Sequence, residues 1–277
     1  MASRDQGDLE QKLNSKYTAL SNYMNNNRLK LNDDKTHLLI MTTQKKHKLI
    51  SLNVEINTLT ENIKPIKSEK LLGIYIQDNL KWTEYIQNNE KSLIMQLTTR
   101  INALKILSAV ATFKSRLMVA NGIFCSKLIF QISLWGGTED FLLSSLQIVQ
   151  NKAARVVAKR GIYTPVCDLR RQCGWLSVRQ LVFYHSVILV HKTLQNKSPK
   201  YLYSKLATEF SYNTRLASSE SVRMGPQFQA KLSLTEKSFM NRATVSYNQL
   251  PTSLRVVQSE QTFKKRLKTW VIENVRL

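Results

Sequence analysis

Two hydrophobic periods that cannot share one element meet near Trp82. Before it, in Lys70-Leu71-Leu72-Gly73-Ile74-Tyr75-Ile76, the residues Leu72, Ile74 and Ile76 alternate with Leu71, Gly73 and Tyr75, giving the segment two faces. That spacing predicts a short buried strand. Asp78-Asn79 reads as a polar turn, and beyond Trp82 apolar residues recur every three or four positions. A chain that changes period in this way is expected to be α+β and predominantly α: a small antiparallel sheet followed by a helical bundle. Gly73 interrupts the strand pattern, and an interior glycine there predicts a bulge or the close approach of a second backbone.

The flanking sequence fills in the elements. Leu9, Leu13, Tyr17, Leu20 and Met24 fall on one helical face, with Asp5 or Asp8 placed to cap it and Asn25-Asn26-Asn27 ending it. A hairpin is expected from Leu38–Thr42 and Leu49–Ile56 around a basic tip at Gln44–Lys48, since Ile50, Leu52, Val54 and Ile56 alternate with polar residues. Pro65 marks residues 63–66 as an edge segment. After Trp82, Ile86, Leu93, Leu97, Ile101 and Leu104 predict one long helix. Phe113, Leu117, Ala120, Phe124 and Leu128 predict a second, stopped by Trp135-Gly136-Gly137. Leu142, Leu146, Val149, Ala153 and Val156 predict a third, ending at Gly161. Val178, Leu181, Val182, His185 and Leu189 predict a fourth, broken at Asn196–Pro199, with a short helix over Tyr201–Leu206. The expected divisions are 1–82, 83–206, a polar connector at 207–226, and a helical tail at 227–277 that carries Phe263, Leu267, Trp270 and Val271.

Charge narrows the class of partner. The 277 residues hold 41 Lys and Arg against 19 Asp and Glu, a formal charge of +22. A polyanion is the expected partner, because each neutralised phosphate releases counterions and adds affinity independent of sequence. An anionic membrane is the rival, but no isolated basic amphipathic helix stands at either end, and no apolar run approaches the roughly 20 residues of a span. Cys125, Cys167 and Cys173, an odd number without a signal segment, read as reduced thiols, so nuclear or cytoplasmic residence is expected.

Two basic clusters stand out as candidate nucleic-acid contacts. Lys152, Arg155, Lys159 and Arg160 recur on the third helix, with Arg170 and Arg171 shortly after and Asp168 their one local offset. Lys264, Lys265, Arg266 and Lys268 form the second. The alternative for both is a solvated helix face. Cys167, Cys173, His185 and His191 have the order of a zinc finger, but the two histidines sit about 240° apart around a helix and cannot face one ion unless it breaks. Asp33-Asp34 is read as a solvated turn rather than a metal pair. No Gly-rich phosphate loop and no hydrolytic constellation can be singled out.

Several motifs in a fixed order carry a resemblance. Asn27-Arg28-Leu29-Lys30-Leu31-Asn32-Asp33-Asp34-Lys35-Thr36 precedes Leu72-Gly73-Ile74 and Leu80-Lys81-Trp82. Then follow Gln150-Asn151-Lys152-Ala153-Ala154-Arg155, Gly174-Trp175-Leu176 with Arg179, Pro199 with Tyr201-Leu202, Thr214-Arg215, Asn248 with Leu250-Pro251, and Phe263-Lys264-Lys265 with Leu267-Lys268. This series resembles the reverse transcriptase of non-LTR (LINE, jockey-like) retrotransposons over nearly the whole chain. The resemblance implies a palm remnant at 1–82, a thumb-like bundle at 83–206, and a grip on an RNA–DNA or other nucleic-acid duplex. It also implies that the catalytic aspartates lie upstream of the segment matched here. The chain alone would then have no cofactor; Mg2+ would belong only to an intact polymerase, whose missing upstream half would be a partner. Lys35 matches a position that handles leaving-group charge in polymerases, and Gly73 matches the strand that turns close to the primer backbone. An element-derived host module that binds nucleic acid or protein, without polymerase activity, is the alternative.

Overall fold

The computed structural model describes residues 6–41, 54–57, 62–206 and 236–275. The chain forms two compact units, Met1–Ser92 and Leu93–Leu277, and it is α+β with helix predominant and two small antiparallel ladders.

In the first unit, helix α1 (Gln6–Asn26) packs Leu13 and Tyr17 against Leu38, Val54 and Ile56. Asn14 stitches it to strand β1 (Ile56–Asn57): its Nδ2 donates to the Glu55 carbonyl at 3.3 Å, and its Oδ1 accepts from the Asn57 N–H at 2.7 Å. β1 pairs antiparallel with β2 (Asn62–Ile63). Leu38 does not pair with Val54 or Ile56; it meets Pro65 in a parallel bridge, with the Ile66 N–H donating to the Leu38 carbonyl. The hairpin tip Gln44–Lys48 and most of its second arm lie outside the described residues, as does the connector at 207–226.

The segment around Gly73 is a hairpin, not one strand. β3 (Ser68–Leu71) runs antiparallel to β4 (Ile74–Gln77), with Leu71 opposite Ile74. The connection is Leu72-Gly73, and both have positive φ, 48° and 89°, as a type I′ turn requires. The glycine therefore serves a left-handed turn position rather than a bulge. Leu72 is 83% exposed at the tip, so the alternation that suggested a buried strand runs through a reversal of direction. The expected polar turn follows at Asp78-Asn79. Gln77 then anchors the next segment, its buried Oε1 accepting from Thr83 Oγ1 and the Glu84 N–H ahead of a π-helical turn (Glu84–Asn88). Asn89 breaks the long helix expected there by accepting the Lys91 N–H on its own side chain, a local bond that competes with helix continuation.

The second unit is helical throughout its described residues. Helix α2 (Leu93–Ser108) buries Leu93, Leu97, Ile101 and Leu104. α3 (Phe113–Ala120) continues through a π-helical turn (Asn121–Cys125) into α4 (Ser126–Ile129), and a left-handed Gln131 separates this from α5 (Ile132–Trp135). α6 (Asp140–Ala158) is the hub, packing on α2, α3, α7 (Val166–Cys173) and α8 (Val178–Asn196). α9 (Lys200–Leu206), α10 (Phe239–Asn248), α11 (Thr252–Arg255) and α12 (Glu260–Asn274) complete it. A core of Val187, Val190, Tyr247, Leu250, Phe263, Leu267 and Val271 joins α8, α10 and α12. Ser177 starts α8 with a full capping box, trading bonds with Gln180.

By length and composition, the span Val166–Asn196 is apolar enough to cross a membrane, which counting from sequence alone did not anticipate. It is interrupted at Gly174 (φ 66°), and half of its apolar window is buried against the protein.

Arg116 shows how polar groups hold this unit together. It is buried, with Nε donating to the Val157 carbonyl at 2.7 Å and Nη1 to the Ala111 carbonyl at 2.6 Å. The first of these lies in the last turn of α6, where carbonyls lack helical partners and a cation is favoured by the helix dipole. Arg116→Met should therefore lower stability by about 2–3 kcal/mol, read as a shift of the urea midpoint, because two carbonyls lose charge-assisted donors. In the first unit, Leu72→Asn should increase hydrogen-exchange protection across residues 68–77 by about 0.5–1 kcal/mol, since asparagine tolerates the left-handed position better than leucine.

Candidate nucleic-acid interface

α6 is amphipathic in three dimensions as well as in sequence. Leu142, Leu146, Val149, Ala153 and Val157 are buried, while Phe141, Ser144, Ile148, Lys152 and Lys159 lie along the exposed side. Arg155 belongs to the same stripe but is half-buried, with its Nε lacking a hydrogen-bond partner. Lys159 ends the helix in a left-handed conformation (φ 49°), its N–H donating to the Arg155 and Val156 carbonyls, and Arg160 follows in the open.

α7 folds back onto this end of α6. Leu169 packs on Ala154 and Ala158 with Trp175 beside them. That contact brings Arg170, half-buried, and Arg171, exposed, to the same region as the α6 cations. Arg171 reaches Asp168 at 3.5 Å, but both are exposed, and such a pair contributes only about 0–1 kcal/mol.

The C-terminal cluster divides. Lys264 is paired with Glu260 at 2.6 Å, and Lys268 donates to the Gly174 carbonyl at 2.9 Å, closing α12 onto the end of α7. Lys265 and Arg266 point the other way and line an open groove with Pro251, Thr262, Thr269 and Trp270. Two of the four cations are thus already engaged within the protein.

The scarcity of acids is a further signal carried by the sequence. Residues 91–208 hold 17 Lys and Arg and only three Asp and Glu, namely Glu139, Asp140 and Asp168. Each of the three is itself paired, with Lys237 at 2.6 Å, Arg179 at 3.0 Å and Arg171 at 3.5 Å. The remaining cations of α2, α6, α7 and the loops between them therefore have no carboxylate from this stretch to neutralise them. A surface of that kind attracts polyanions by simple electrostatics.

Lys35 and Gly73 belong to the first unit. Lys35 is exposed at the end of a 3-10 turn (Asp33–Lys35). Asn32 closes that turn, its Oδ1 accepting the Lys35 N–H at 3.2 Å and its carbonyl accepting Thr36 Oγ1 at 2.9 Å. The asparagine and threonine of the motif thus have a local structural role. Gly73 is exposed at the β3–β4 tip.

The cysteines and histidines have distinct surroundings. Burial pushes the Cys125 thiol up to about 12, with Cys173 adding to the effect, and Cys173 itself up to about 11, so both stay protonated near neutrality. Cys167 is exposed. His191 is buried and stacked flat on Phe263, ring centroids 3.6 Å apart, with Nδ1 3.3 Å from the Tyr247 hydroxyl. His185 sits edge-on to Tyr184. Among the described residues no group of three or more His, Cys, Asp or Glu is gathered to hold a metal ion.

Compared with protein-family models, with curated proteins and with solved structures, the chain has no match. The site is therefore read from its own chemistry: cations on a helical scaffold, a surface suited to a polyanion.

The two histidines make stability depend on pH. Burial lowers the pKa of both His185 and His191 below the ordinary 6.5, so the unfolded chain takes up protons that the folded chain refuses. Their contribution is fully present above pH 6.5 and is lost as pH falls below it, down through the depressed folded values. Urea midpoints measured from pH 7.5 to 5 should decline for the natural chain and decline less for His191→Phe.

Proposed function

We propose that the chain is the C-terminal, nucleic-acid-holding portion of a non-LTR retrotransposon reverse transcriptase, in which α6 and α7 grip an RNA–DNA duplex through its phosphates. The observation that carries the duplex grip is the excess of 17 Lys and Arg over three Asp and Glu in residues 91–208, with exposed cations on the hub helix. Lys152, Lys159, Arg160 and Arg171 are exposed there, and Arg155 and Arg170 lie half-buried behind them. The spacing of Lys152, Arg155 and Lys159 on one side of a helix suits a backbone track rather than base readout.

The assignment to this class of polymerase rests on the order of the sequence motifs. The fold adds a physical reason for several of them. Gln150 Nε2 donates to the Leu176 carbonyl at 2.9 Å, joining two motif segments. Lys268 on Gly174 joins a third. Trp175 donates to Asn121 Oδ1 at 2.8 Å and stacks on Phe124.

In this role the chain holds its substrate and leaves the chemistry to metal-binding aspartates carried elsewhere, and it should incorporate no nucleotide by itself. Fluorescence anisotropy with a labelled blunt RNA–DNA hybrid tests the grip. Affinity should fall steeply with added salt, and Lys159→Glu with Arg160→Glu should weaken binding and reduce the salt slope by about two. The same charge change at exposed Lys16 should have little effect. Salt-insensitive binding, or no binding, would overturn the proposal.

A further inference from the structure

Arg116 does more than close the end of α6. By bonding Val157 and Ala111 together, it holds the turn between α2 and α3 against the end of α6. Both segments meeting there expose apolar side chains beside cations. On one side, Ile106 and Val110 are largely exposed, with Lys105 and Lys114 alongside in sequence and also exposed. On the other, Ile162 and Tyr163 follow the exposed Lys159 and Arg160. Tyr163, at 94%, is the most exposed large side chain of its class among the described residues. No carboxylate lies between Glu90 and Glu139, or between Asp140 and Asp168, so neither segment supplies an acid to this edge.

The chemistry of such an edge selects its ligand. Lysines and arginines around a bare aromatic ring repel a second copy of the same surface, so self-association is disfavoured. They attract phosphates, and the ring offers a stacking platform for a base. A base within a duplex has both faces covered by its neighbours and cannot use that platform. An unpaired base can.

We propose that this edge binds single-stranded nucleic acid, RNA or DNA, with an unpaired base stacked on Tyr163 and the flanking phosphates on Lys159 and Arg160. It rests on the reading of the chain as a nucleic-acid-binding protein; the edge shares Lys159 and Arg160 with the duplex track along α6 and adds Tyr163, which a duplex cannot use.

The test uses the full chain with three probes: labelled dT12, labelled rU12 and a labelled blunt RNA–DNA hybrid. Tyr163→Ala should weaken dT12 and rU12 binding about tenfold and leave hybrid binding within about twofold, while Tyr163→Phe keeps single-strand binding because it keeps the stacking face. The side chain lies in solvent, so neither change should disturb folding, which a thermal melt checks. Unchanged single-strand binding by Tyr163→Ala, or equal losses on all three probes, would overturn this inference. If the natural chain binds the hybrid and neither single strand, only this inference fails; if it binds none of the three, the duplex grip fails with it. Phosphatidylserine vesicles make the last arm. Release from them by Tyr163→Ala, with dT12 and rU12 binding unmoved, would assign the edge to lipid and overturn the inference.

Discussion

Buried backbone groups need partners, and in the second unit α6 is where that requirement is met by long polar side chains reaching across helix boundaries. Gln147 Oε1 accepts the Val178 N–H at 2.8 Å, one of the donors left open at the start of α8. Gln150, almost fully buried, donates to Leu176 in the segment that leads there. At the far end, the Val157 carbonyl is taken by Arg116. Three contacts therefore tie α3, α8 and the segment leading into α8 to one helix, and apolar packing fills the space between them. Arg242 repeats the device from α10: it donates to Ser186 Oγ and the Ser133 carbonyl, and burial lowers its pKa to about 10, still a cation near neutrality.

This framework explains how a heavily basic chain can remain folded. Charges of one sign concentrated on a compact unit repel one another, a cost that grows as salt is removed. The buried Arg116 and the half-buried Arg242 bond to carbonyl and hydroxyl oxygens rather than to carboxylates, so the few acids of residues 91–208 are left to the surface. A polyanion seated on the outer cations would relieve the remaining repulsion. Binding and stability are linked in that sense, since a ligand held only by the folded state stabilises it.

The helices were largely legible because each buries one stripe, and a stripe has a period. Leu142, Leu146, Val149 and Ala153 on α6 could be read from residue spacing, although Val157 rather than the expected Val156 is buried; the Ser177 capping box of α8 was not read. The hairpin at Leu72-Gly73 could not, because alternating residues look the same whether the chain continues or doubles back, and leucine is a poor marker of a left-handed turn. Nor could the break at Asn89, where a side-chain bond overrides a consistent apolar period. At the site, the exposed cations of α6 were visible as a pattern, but the fate of Lys264 and Lys268 was not. A lysine committed to a carbonyl 94 residues away in sequence looks identical, in one dimension, to a lysine waiting for a phosphate.

The same distinction separates what the motifs specify from what binds. Gln150, Gly174, Trp175 and Lys268 all take part in joints between helices, and Asn32 and Thr36 close a turn. Their side chains or carbonyls are spent on the protein itself, so a change at any of them acts first on folding. Lys159, Arg160 and Tyr163 stand between motifs, carry no such duty and face solvent. Residues that must meet one partner inside the protein are tightly constrained in type, whereas a phosphate backbone accepts any well-placed cation. Ordered motifs can therefore reveal the scaffold, while a cation within one, such as Lys152, is told apart only by its exposure and charge.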